Sequence, residues 1–198
     1  MNTITSKKAY KILMDAKNSN DGEWIDHSIY VGIAAKRIAE HVNGLNPDLA
    51  LAYGYIHDIG RTFGRMQLKH SICGYEFLKK EGYDEAARIC LTHSFISKDI
   101  EECVGNWDCT DSEYIFVKDY IESIKFTEYD KLIQLCDAIS LSTGFTIIEK
   151  RLIDVALRYG INERTTKRWK AFFNLQKDFE NKLGFSLYQL FPEVIDNI

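Results

Sequence analysis

"YIHDIGRTFGRMQLKHSICGYEFL", from Tyr55 to Leu78, holds an adjacent His57-Asp58 pair, a further histidine at His70 and a short arginine-rich turn between them. The chain has only five histidines in 198 residues, so two in so short a span pose a question of chemistry. Adjacent helical residues point about 100° apart. His57 and Asp58, at the end of a helix, can therefore converge on one ion lying between their directions. Gly60 stops that helix. His70 opens the next, and Gly74, one turn on, lacks a side chain and so permits close approach by a neighbour. A His-Asp dipeptide is uninformative alone; its meaning depends on partners elsewhere in the chain.

Those partners can be found by periodicity. Trp24, His27, Val31, Ala34 and Ile38 recur at spacings of three and four, which puts His27 on the inward stripe of a helix. By itself such a histidine reads as a core residue bonded to a carbonyl. His93 shares a stripe with Ala86, Ile89 and Cys90. Asp137 lies in "YDKLIQLCDAISL", a helix apolar on most sides, and a buried aspartate is costly unless paired or bound to a cation. His41 is fourteen residues beyond His27, too far along the axis to share a site. Imidazoles and carboxylates together suit iron, manganese, zinc, cobalt or nickel rather than calcium.

The rest of the chain favours an all-α bundle. Apolar residues make up 45% and charged residues 27%, enough for an ordinary core. Only Pro47 and Pro192 interrupt a helical apolar pattern. Helices are expected at about 5–17, 23–43, 47–58, 70–82, 84–95, 111–124, 128–141, 145–160 and 164–183, with Thr127 as a cap and residues 97–112 as the longest loop. "IFV" at 115–117 could be a short strand. Five cysteines without a CxxC pair read as reduced thiols; Cys103 and Cys109 could bridge by spacing alone. The net charge of −4 argues against a dedicated nucleic-acid binder. The absence of a long apolar run and of a signal-like N-terminus points to a cytoplasmic protein with no membrane span.

The ordered set His27, His57-Asp58, Asp137 resembles the H…HD…D pattern of the HD superfamily of metal-dependent phosphohydrolases. "HSICGYEFL" after "HDIG", with "ICLTHSF" beyond it, looks most like HD-type diadenosine tetraphosphate hydrolases and related HDIG proteins. The resemblance covers about residues 20–142 and implies a single-domain HD-type helical bundle, with 143–198 as additional C-terminal helices packed on that core. It implies one or two divalent transition-metal ions. His27, His57, Asp58 and Asp137 would be metal ligands, and His57 and Asp58 would hold the ion's attacking water. His70 and His93 would hold a second ion or touch phosphate. Arg61, Arg65 and Lys69 would bind the phosphate of a small substrate, a nucleotide or another phosphate ester or anhydride. No GYP motif follows His93, which argues against cyclic dinucleotide hydrolysis. Arg61 stands where the family often has Lys; it keeps the charge but is a poor proton donor.

Two other readings compete. An HD domain can serve as a nucleotide-responsive signalling module without turnover. "LIDVALRYGINERTTKRWKAF" also resembles a helix-turn-helix, with "RTTKRWK" as a recognition helix for DNA. Against that stand Thr166, where an apolar residue is usual, and the acidic chain. A homodimer is compatible with any of these.

Overall fold

The computed structural model describes residues 2–197. Among them run nine α-helices: α1 (Ser6–Ser19), α2 (Glu23–Ala39), α3 (Pro47–Ile56), α4 (Lys69–Lys80), α5 (Asp84–Thr92), α6 (Asp111–Ser123), α7 (Glu128–Ala138), α8 (Ile148–Tyr159) and α9 (Thr165–Leu183). A two-stranded antiparallel hairpin, β1 (Ser140–Leu141) and β2 (Gly144–Phe145), follows α7. The all-α expectation holds, and the hairpin takes the end of the helix expected at 128–141 and the start of the one expected at 145–160. The helix expected over 111–124 holds as α6, and the strand alternative at 115–117 does not, since those residues are the middle of that helix. Val117 faces inward there and Ile121 follows one turn later, both buried against Ile72, Leu91 and Phe95; helical spacing outweighs the β-propensity of a three-residue run. All five cysteines are free, so Cys103 and Cys109 are not bridged.

The helix starts are chemically marked. The Asn46 side chain accepts from Leu49 N at 3.0 Å, and Pro47 occupies the first turn of α3. Thr127 caps α7 in a reciprocal capping box with Asp130. Asp130, fully buried, also accepts from Arg88 Nη2 at 2.7 Å and from Thr92 Oγ1 at 2.7 Å. One satisfied carboxylate thus ties α7, which carries Asp137, to α5, which leads into His93.

Two glycine contacts set how closely the site-bearing helices approach. A Cβ on Gly54 of α3 would stand 2.4 Å from Gly32 Cα of α2. A Cβ on Gly60 would stand 1.9 Å from the His70 carbonyl oxygen. Neither clash can be relieved by a side-chain rotation, because backbone meets backbone. Gly54→Ala and Gly60→Ala are therefore expected to destabilise the fold by at least the ~1–3 kcal/mol typical of overpacking, read as the midpoint of urea unfolding. An unchanged midpoint in both variants would show that these approaches are not tight.

Candidate metal centre

The site begins with where helices stop. α3 ends at Ile56 and α5 at Thr92, so His57 and His93 are C-cap residues. The last carbonyls of a helix have no partner within it. His57 Nδ1–H donates to Gly54 O at 2.7 Å and His93 Nδ1–H to Cys90 O at 2.8 Å. His70, in the first turn of α4, makes the same bond to Gln67 O, again three residues back. A carbonyl can only accept, so each Nδ1 carries the proton and each Nε2 keeps its lone pair. This fixing of the tautomer by a backbone carbonyl is the arrangement that prepares histidine to ligate a metal.

The lone pairs converge on Asp58. His70 Nε2 lies 2.9 Å from Asp58 Oδ1, and His93 Nε2 lies 3.5 Å from the same oxygen. The two Nε2 atoms are 3.2 Å apart, and His57 Nε2 is 4.0 Å from Asp58 Oδ2. The rings of His27, His57, His93 and His70 form a continuous run with centroid spacings of 5.3, 5.0 and 5.3 Å. His57 Nε2 and Asp58 Oδ1 are buried and lack a hydrogen-bond partner among the described residues. Burial pushes His57 down to about 4 and also lowers His70. Burial alone would raise Asp58, but the Arg61 guanidinium outweighs it and holds the carboxyl well below its ordinary range. Neutral imidazole lone pairs facing a carboxylate repel unless a cation lies between them. Two overlapping donor groups can hold one: His27 with His57 and Asp58, and Asp58 with His70 and His93. The donor chemistry fits a divalent transition metal.

Asp137, on α7, lies outside both donor groups but borders the first through His27. Its Oδ1 is 3.0 Å from His27 Nε2. It is less enclosed than its helix suggested, with 29% of the side chain exposed toward the cavity that serves the site. Burial would raise its carboxyl, but His27, then His57 and Arg151, hold it well below the ordinary range.

The expected anion residues divide. Arg61 lines the cavity and its Nε donates to Asp58 Oδ2 at 2.6 Å; Asn20 Nδ2 holds its carbonyl at 2.6 Å. Arg65 is exposed and Lys69 pairs with Glu113 at 3.2 Å, and neither borders the cavity. The cavity, of 620 Å³, takes its far wall from Arg151 and Arg158 of α8 and Arg168 of α9. These three were not anticipated. The available signal was the spacing Arg151–Asp154–Arg158, which sets three charges on one face of a helix. The same helices answer the helix-turn-helix reading: Arg164 and Lys167 reach Asp99 at 3.5 and 3.3 Å, and Arg168 faces the cavity. His41, set aside from the site, bonds Arg37 O on the surface.

The geometry and the sequence agree on a class. Residues 24–142 match the family model of the HD domain, well over half the chain, and the protein belongs to that family. No curated protein and no solved structure matches it. Membership suggests a metal-dependent phosphohydrolase, and the His/Asp cluster fits the metal. No helix among the described residues is long and apolar enough to cross a membrane.

Asp58 is common to both donor groups. Asp58→Ala should therefore lower metal affinity by more than the roughly 10–100-fold typical of losing an outer partner, read by elemental analysis after dialysis. Asp137→Ala should release only the ion of the His27 group. Full retention of metal by Asp58→Ala would remove that carboxylate from the coordination sphere.

Proposed function

We propose that this protein hydrolyses a phosphate ester or anhydride of a nucleotide or similar small molecule, using one or two divalent ions of iron, manganese, zinc, cobalt or nickel. One observation carries the reading: three imidazoles, each with Nδ1–H given to a carbonyl, aim bare Nε2 atoms at one buried carboxylate inside an arginine-lined cavity. In this reading His27, His57, Asp58 and Asp137 hold the first ion. His70 and His93 share Asp58 to hold a second or contact the phosphate. A divalent ion bound there would lower the pKa of a coordinated water from about 15.7 toward about 7.

The chain's own residues do the rest. His57 and Asp58 orient the attacking oxygen, and their burial excludes competing water. Arg61 has its Nε on Asp58 and lines the cavity. Its remaining N–H groups offer charge-assisted bonds to the phosphoryl oxygens as negative charge develops. Arg65 and Lys69, outside the cavity lining, leave that contact to Arg61. Residues 143–198 act as helices added to an HD core of about 20–142.

The test is a hydrolysis screen over nucleoside mono-, di- and triphosphates and dinucleoside polyphosphates, with each metal in turn. Asp58→Ala should abolish turnover. Arg61→Ala should weaken metal binding, because it frees Asp58. At saturating metal it should still lower kcat/KM about 10–150-fold, the equivalent of one lost charged hydrogen bond. Full recovery at saturating metal would confine Arg61 to positioning Asp58. No turnover on any phosphate compound with the metal site filled would favour a binding module instead.

A further inference from the structure

The helices beyond the matched family region are not a passive appendage. α8 and α9 contribute Arg151, Arg158 and Arg168 to the cavity that also exposes Asp58 and Asp137. Arg151 Nη1 and Arg158 Nη2 lie 3.4 and 2.7 Å from the same oxygen, Asp154 Oδ2. One carboxylate, 47% exposed, thus stands between two guanidiniums and leaves a positive excess. Arg168 is more telling. It is partly buried, its guanidinium carbon lies 5.1 Å from the Phe172 ring centroid, and the guanidinium makes no ion pair or hydrogen bond among the described residues. Burial holds its pKa below the ordinary arginine value. A desolvated cation without a counter-anion is costly, and an anionic ligand in the cavity would remove that cost.

We propose that Arg168, with Arg151 and Arg158, forms a second anion subsite that takes a remote phosphate group of the substrate while the phosphate to be cleaved lies over the His/Asp cluster. The proposal rests on the hydrolase reading and narrows it to substrates with at least two phosphate groups. The 620 Å³ cavity has room for such a molecule, since small-molecule sites span roughly 300–1,000 Å³. Trp24 and Phe172 line the same space and offer apolar surface for the organic part. Guanidiniums suit the task, because their planar fork binds two phosphate oxygens at once.

The experiment titrates tripolyphosphate and, separately, orthophosphate into the full-length, metal-loaded protein by calorimetry. Wild type should bind tripolyphosphate more tightly. Arg168→Gln should weaken tripolyphosphate by roughly tenfold or more and leave orthophosphate unchanged. Arg168→Lys, which keeps the charge, should recover part of the loss. Lys170→Gln, an exposed position on the same helix outside the cavity, should change neither ligand. Equal binding of the two ligands by wild type overturns the subsite. So does an Arg168→Gln variant that loses both alike or neither. Failure of the hydrolase reading shows separately, as absent turnover beside a selective loss of tripolyphosphate.

Discussion

The approach of backbone to backbone at Gly60 sets the geometry on which the site depends. With no Cβ, the turn after Asp58 lies directly against the carbonyl of His70. Gly74, one turn along α4, lets Cys90 of α5 close in on the other side, where an added Cβ would be 3.0 Å from its Cβ. The glycines of α2 and α3 do the same for His27 and His57. Four imidazoles from four different segments can stand in a run with successive ring centroids 5.3, 5.0 and 5.3 Å apart only because these segments touch without side chains between them. Glycine in a helix costs about 0.5–1 kcal/mol relative to alanine. That cost is small beside the packing it permits.

Close approach creates an electrostatic problem, and the chain solves only part of it. Asp58 is buried at 4% exposure, and three of its neighbours present lone pairs rather than protons. Arg61 compensates one carboxylate oxygen, through a bond to Oδ2. Oδ1 is left facing His70 and His93. Ser94 Oγ, 3.0 Å from His93 Nε2, can relieve one imidazole but not the carboxylate. Compare Asp130, equally buried, whose oxygens accept from Arg88, Thr92 and Thr127. The chain can satisfy a buried aspartate completely when its role is structural. Asp130 is a satisfied anchor, whereas Asp58 keeps an unpartnered oxygen within a donor group that could hold a cation.

Much of this was legible in the sequence because the relevant signals are local. Helix starts at Pro47, Asp111 and Glu128 follow capping and patterning that act over four residues. The residues that cluster could be read because His27, His57, His70 and His93 each fall on an inward stripe or a helix end. The strand alternative at "IFV" gave way to the expected helix because a run of three β-formers says nothing about the longer stripe of Val117 and Ile121 that buries α6. The hairpin of Ser140–Leu141 and Gly144–Phe145 showed only as a break, since two residues per strand leave no alternation to detect. Arg65 and Lys69 are close to Asp58 in sequence but not at its cavity. Nearness along the chain says little about direction once a short helical turn has rotated the backbone through Ile59–Phe63.

The cations that do reach the cavity come from the far end of the chain, where a local reading sees only a basic stretch. "RTTKRWK" offers the same composition to DNA, to solvent or to an internal anion site. What distinguishes these is the partner of each side chain. Arg164 and Lys167 close onto the loop that carries Asp99. The next residue, Arg168, lies over Phe172 and lines the cavity. A recognition helix needs its cations free for phosphates outside the protein. Here Arg164 and Lys167 are paired on the surface and Arg168 is partly buried at the cavity, which leaves Lys170 as the exposed cation of the stretch. The basic stretch therefore works as a tether and a wall: its outer charges fasten α9 over the loop, and its inner charge completes the cavity.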